Sequence, residues 1–190
     1  VIAQLARRRR RALYRARTLL ADARERGARP PQPAPVEPEL RILFVCLGNT
    51  CRSPLAEGIM RQRLAEEGLL GRVVVDSAGV SGRTDGLKPD PRARRVARSH
   101  GLTLGSQRAR TFEQADFDRF DRIVVFDRGI LEAVTSAARS EADRSRVSPI
   151  RGEGEIADPV AGDYAVYVRT YDDIAAACEA LLGEIRAELG

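Results

Sequence analysis

Cys46 and Arg52 stand at the two ends of a short polar stretch, Cys46-Leu47-Gly48-Asn49-Thr50-Cys51-Arg52, which Ser53 and Pro54 follow. A thiol and a guanidinium at that spacing suit a tetrahedral oxyanion. A phosphate monoester dianion needs donors on several oxygens and a nucleophile behind phosphorus. A loop curling through Leu47, Gly48, Asn49, Thr50 and Cys51 can aim successive backbone N–H groups inward as a concave anion nest. A helix opening at its end adds unpaired N–H groups and the positive end of a dipole. Arg52 can grip two equatorial oxygens with its planar fork, which a lysine cannot imitate. Cys46, as a thiolate, would lie beneath the phosphorus.

These parts must act together. Free thiols titrate near ~8.5 and reactive ones fall to roughly 3.5–7.5. A drop of about three units corresponds to ~4 kcal/mol, whereas a helix dipole supplies only ~0.3–2 kcal/mol. Loop amides, the Ser53 hydroxyl and Arg52 therefore have to share the work of holding a thiolate.

The flanking sequence supplies rigid elements on both sides of the loop. Arg41-Ile42-Leu43-Phe44-Val45 reads as a buried strand, and Pro54 opens a helix to about Glu67, closed by Gly68. Val73–Ser77 reads as a strand, followed by a Gly-rich loop at 79–88. Asp90-Pro91 caps a helix reaching His100-Gly101, Thr111 caps a short helix, and Arg122–Phe126 is a third strand. Asp127 caps the next helix, Arg146–Ile150 is a fourth strand, and 151–166 is an acidic loop. Tyr167–Leu189 closes the chain, with Ile174, Cys178, Leu181 and Ile185 on its inner face. Strands alternating with helices predict an α/β fold with a four-stranded, parallel, doubly wound sheet. Ligands of such sheets bind beyond the carboxyl ends of the strands, where Cys46 falls.

In a chain with 32 Lys plus Arg, a bare C-x5-R can arise by chance, and a buried cysteine ending a core strand explains it equally well. The whole string decides. VCLGNTCRSPLAE closely resembles the active-site signature of the low-molecular-weight protein tyrosine phosphatases. The resemblance continues through VDSAGV (75–80), PDPRA (89–93), HGL (100–102), RAR (108–110), DRIVVFD (121–127) and Asp158-Pro159, covering about residues 41–189.

The resemblance implies a metal-free, cofactor-free phosphatase working through a phosphocysteine intermediate on phosphorylated proteins. It assigns leaving-group protonation to an Asp-Pro late in the chain. Asp90-Pro91 is accounted for as a cap and first-turn proline. Asp158-Pro159 lies in a loop with no capping duty evident, so Asp158 is the expected general acid and then base. Asn49 and Ser77 resemble the family's loop-supporting residues. Cys51 either forms a reversible disulfide with Cys46 or fills loop space. Cys178 and His100 need no role beyond structure.

Departures bear on the substrate. Gln107 stands where many members carry a histidine. Arg83 and Val160 replace aromatic walls of the pocket. Thr50 and the Asp158-Pro159-Val160-Ala161-Gly162-Asp163 segment also resemble the protein-arginine phosphatase branch. Phosphotyrosine is the default substrate and phosphoarginine the alternative. An arsenate reductase would need a resolving cysteine pair downstream, and residues 52–177 contain no cysteine. A non-catalytic phospho-ligand module would need a damaged nucleophile or acid.

Composition divides the chain. Residues 1–40 hold ten Arg against four Asp plus Glu, whereas 41–190 hold 22 basic against 23 acidic residues, so the net +5 belongs to an extension. Residues 1–27 read as a basic helical extension, with a membrane-surface or polyanion contact through 2–26 as its functional reading and a solvated helix as the plain one. Five prolines between Pro30 and Pro38 make 28–39 a stiff linker, leaving 40–190 as the phosphatase-like domain. No nucleic-acid partner is expected for that domain. The three cysteines form no secreted disulfide framework, no secretory h-region is present, and a cytoplasmic location is expected.

Overall fold

Ile42, Leu43, Phe44 and Val45 are all fully buried, which requires the strand carrying them to be covered on both faces. The computed structural model describes residues 37–152 and 154–190, so the expected helical extension and most of the Pro-rich linker lie outside the described residues. Strand β1 (Leu40–Cys46) pairs in parallel with β2 (Val73–Gly79) on one side and β3 (Arg122–Val125) on the other. Strand β4 (Val147–Pro149) adds to β3, giving the parallel order β2-β1-β3-β4. The expected four-stranded, doubly wound α/β architecture is the one observed.

Alternation along β1 splits the core in two. Ile42, Phe44 and Cys46 join one cluster with helices α1 (Arg52–Glu66), α2 (Pro91–Ser99) and the last helix. Leu43 and Val45 join the other, with Phe117, Ile123, Ile130 and Val134 from β3, the single turn α3 (Asp116–Arg119) and helix α4 (Arg128–Ser136). Burying each large apolar side chain contributes roughly 1.5–3 kcal/mol. Both layers therefore pin the same central strand, and with it the position of Cys46.

Some local expectations are corrected. Thr111 caps nothing: it bridges Gly79, and its hydroxyl donates to the Asp85 carboxylate at 2.8 Å. The short helix starts at Asp116, whose fully buried carboxylate accepts from the Glu113 N–H at 2.9 Å and closes the turn before it. Helix α5 (Glu141–Ser145), capped by Ser140, was not anticipated. The closing helix α6 begins at Tyr164, three residues early, because Asp163 accepts from the Val166 N–H and caps it. No helix among the described residues is long and apolar enough to cross a membrane.

Asp90 does more than cap α2. It accepts from the Arg92 N–H at 2.7 Å and holds the Arg92 guanidinium, which lies over the Tyr167 ring and donates to the Gly162 carbonyl. Asp90→Ala should therefore cost about 0.5–2 kcal/mol of stability, read by chemical denaturation, with kcat little changed. Burial pushes the Asp90 carboxyl up, but Arg92 outweighs it and holds it below the usual range. That contribution is present above the unfolded value near ~3.9 and is lost as pH falls through the lower folded value. Leaving-group dependence in this variant would mean that the wrong Asp-Pro has been assigned the acid role.

Candidate active site

The loop after β1 is uncapped by any side chain: Cys51 precedes α1 without a side-chain hydrogen bond to it. Among the described residues, the backbone N–H groups of 48–53 find no acceptor in the protein. Unpaired amides at a helix start are an anion site. α1 begins at Arg52, so Pro54 is its third residue and not its first.

Asn49 sets the curl. It has φ 50°, the one non-glycine in the left-handed region among the described residues, which asparagine tolerates better than most. Its amide donates to Ser53 Oγ and Ser77 Oγ at 2.9 Å each, and its Oδ1 accepts from the Arg110 N–H at 3.0 Å. Gly79 lies beneath: a Cβ there would come within 2.7 Å of the Asn49 nitrogen and 2.8 Å of the Leu47 carbonyl oxygen. Only glycine allows that approach.

Cys46 is 2% exposed, and its Sγ lies 3.0 Å from Ser53 Oγ. Ser53 also reaches the Ala78 carbonyl at 3.1 Å. Its single proton serves either that carbonyl or the sulfur. A thiolate at Cys46 makes the sulfur the stronger acceptor, so ionisation redirects the serine proton toward it. Behind Ser53 the chain of contacts runs through Asn49 and Ser77 to Glu57, whose Oε2 accepts from the Ser77 hydroxyl at 2.7 Å. Burial pushes the Glu57 carboxyl up, against the pull of Ser77 and Arg61. Gln107 donates to the Pro54 carbonyl at 3.2 Å, bracing α1.

Arg52 is 1% exposed. Its Nη1 donates to Asp127 Oδ2 at 2.6 Å and to the Ile156 carbonyl at 2.9 Å, and its Nη2 donates to Asp158 Oδ2 at 2.7 Å. Nε is buried with no acceptor among the described residues. Burial works against the guanidinium charge, but Cys46, Asp158 and Asp127 outweigh it and raise its pKa. Asp158 does have a capping duty, contrary to the sequence expectation. Its Oδ1 accepts from the Val160 N–H at 3.1 Å and starts a 3-10 turn at Pro159–Ala161, while Oδ2 meets Arg52.

Cys46, the amides of 48–53, Arg52 and Asp158 thus converge at the carboxyl edge of the sheet. Asp90 is adjacent through its backbone, its N–H donating to the Thr50 carbonyl, but its side chain is turned to Arg92. Cys51 is a free, buried thiol 3.3 Å from the Tyr167 hydroxyl, and burial pushes it up to about 11. Cys178 is fully buried core, and His100 stacks on Tyr171. Around the rim, Leu47 and Val160 are exposed, as is Arg83, whose neighbour Thr84 donates to the Gly48 carbonyl at 2.6 Å. No group of three or more His, Cys, Asp or Glu among the described residues is placed to hold a metal ion.

Asp127 escaped the sequence reading, which gave it only a cap. It is both: Oδ1 accepts from the Ile130 N–H and Oδ2 from Arg52. The signal was available in its position, since it follows β3 at the carboxyl edge where ligands bind.

Residues 41–189 match the family model described as low molecular weight phosphotyrosine protein phosphatase. A low molecular weight protein-tyrosine-phosphatase of Streptomyces coelicolor is 36% identical over 157 residues, covering 78% of this chain and 95% of that protein. A crystal structure of a protein tyrosine phosphatase from Entamoeba histolytica superposes with a TM-score of 0.75 at 28% identity, covering 80% of this chain and 99% of the other. The YwlE arginine phosphatase also superposes, with a TM-score of 0.70 at 25% identity over 77% of this chain and 96% of its own.

Proposed function

The chain belongs to the low molecular weight phosphotyrosine protein phosphatase family, and from that premise we propose that it hydrolyses phosphotyrosine on proteins through a phosphocysteine intermediate. Cys46 Sγ, as thiolate, attacks phosphorus in line. The amides of 48–53 and Arg52 hold the equatorial oxygens. As the phosphorus–oxygen bond to the tyrosine breaks, Asp158 gives that oxygen its proton. A water then attacks the phosphocysteine, Asp158 takes the water's proton, and the thiolate leaves. One ester and one water become one alcohol and one phosphate.

The observation that carries this reading is the 2.7 Å pair between Arg52 and Asp158. It sets the acid one guanidinium away from the anion cradle. A phosphate dianion arriving at Arg52 draws the guanidinium to itself. A reducing compartment suits a thiolate nucleophile, so we assign the enzyme to the cytoplasm. The membrane or polyanion contact of residues 2–26 belongs with these proposals.

Thr50 favours a second reading, phosphoarginine hydrolysis. It is half-buried within the loop, and its hydroxyl lies 3.8 Å from Cys51 Sγ. The test compares kcat/KM on phosphotyrosyl and phosphoarginyl peptides for the wild type and Thr50→Ile. Phosphotyrosine turnover is expected to exceed phosphoarginine turnover and to change less than about threefold in the variant. The added bulk is worth ~1–3 kcal/mol against a snug substrate, so any phosphoarginine activity should fall at least about tenfold. A wild type preferring phosphoarginine would replace the first reading with the second.

A further inference from the structure

Charge is not spread evenly over residues 41–190. Within their near-neutral total, residues 81–110 hold eight basic residues (Arg83, Lys88, Arg92, Arg94, Arg95, Arg98, Arg108, Arg110) against Asp85 and Asp90, a net of +6, which leaves −7 for the remainder. Two of the eight are neutralised locally, Arg92 by Asp90 and Arg110 by Asp76 and Asp116. The other six form no ion pair among the described residues, and all but the half-buried Arg94 are exposed.

This segment is wrapped around the phosphate loop. Thr84 donates to the Gly48 carbonyl, Asp90 to the Thr50 carbonyl, and Asn49 accepts from Arg110. Gly86 and Leu87 exchange backbone bonds with Ala109, which brings the Lys88 and Arg108 neighbourhoods together. Glu155, Asp158 and Asp163, in and beside the acid loop, carry the other sign, and the two segments meet where Arg92 donates to the Gly162 carbonyl. The basic segment therefore contacts the phosphate loop at Gly48, Asn49 and Thr50, and the acid loop contacts it at Arg52. A chain bound across the site must keep its own acidic residues on the basic side.

Resting on the reading of the site as a protein phosphatase, we propose that residues 81–110 form a docking surface for the acidic sequence flanking the phosphorylated residue of the substrate. Surface charges of one sign concentrate an oppositely charged partner and raise its association rate by about 10–10³-fold at low salt. That effect fades once the Debye length falls from about 10 Å at 0.1 M to about 3 Å at 1 M.

The experiment measures kcat/KM for two phosphotyrosyl peptides, one flanked by Asp and Glu and one by Ser and Gly, between low and high salt. Lys88→Glu/Arg98→Glu/Arg108→Glu is measured beside the wild type. Among the described residues, none of these three side chains makes a hydrogen bond or ion pair to the phosphate loop; Arg108 donates to the Gly105 and Gln107 carbonyls. The acidic peptide should be preferred about tenfold at low salt and about twofold or less at high salt. The triple variant should lose or reverse the preference while hydrolysing 4-nitrophenyl phosphate as the wild type does. Equal, salt-independent kcat/KM for both peptides would overturn the surface while leaving the phosphatase reading intact. Failure to hydrolyse either peptide would overturn the phosphotyrosine reading on which the surface rests. A variant equally slow on all substrates would overturn the surface too, because the residues would then act through the fold. Retention on anionic vesicles without any flank preference would assign the patch to a membrane and likewise overturn the proposal.

Discussion

Cys46→Ser should lose turnover by on the order of 10⁴–10⁶-fold, the scale seen when a covalent nucleophile is removed. The reason is ionisation and not shape. A serine hydroxyl fits beside Ser53, where Cys46 Sγ now lies at 3.0 Å, but it does not become an anion under the same conditions. The amides of 48–53 and Arg52 are untouched, so the variant should still bind inorganic phosphate. Phosphate should raise the midpoint of thermal unfolding in the variant as in the wild type, by an amount set by ligand concentration over Kd. Activity within about tenfold of wild type would remove Cys46 as nucleophile. Lost activity together with lost phosphate protection would indicate a collapsed loop instead.

Asp158→Ala should cost about 10²–10⁴-fold in kcat on phosphotyrosyl peptides, the usual range for general acid–base assistance. The loss should be far smaller for the first step on 4-nitrophenyl phosphate, whose leaving oxygen is weakly basic and departs without help. Phosphate affinity should hold or rise, because Arg52 is released from one of its two carboxylate partners while Asp127 still anchors it. A uniform loss across leaving groups would mean that Asp158 positions Arg52 and transfers no proton.

What the sequence disclosed follows the range of the interactions. Chemistry held within a few residues was legible: Cys46 to Pro54 reads as strand, loop and helix start because each feature is local. Asp127 as a cap was likewise visible, since Ile130 is three residues on. Its second oxygen meets Arg52 across 75 positions, and no local pattern signals that. Asp158 shows the converse error. Its role as the acid was implied by family resemblance, while its pairing with Arg52 was not foreseen and the cap it makes two residues away was overlooked. Thr111 looked like a cap because threonine often is one, but the sheet edge at Gly79 claimed that stretch first. The polarised charge of 81–110 was hidden by averaging over the domain.

The most direct measurement mixes Asp158→Ala with 4-nitrophenyl phosphate and quenches the reaction in acid before peptide mapping by mass spectrometry. This substrate needs little acid assistance to form the intermediate, and the variant lacks the base that would hydrolyse it. One phosphoryl group should accumulate on the peptide containing Cys46, should be absent when Cys46 is also replaced by Ser, and should appear together with a burst of 4-nitrophenol. Steady turnover with no phosphoenzyme at any time, or a phosphoryl group on another residue, would contradict the assignment of Cys46 as the nucleophile.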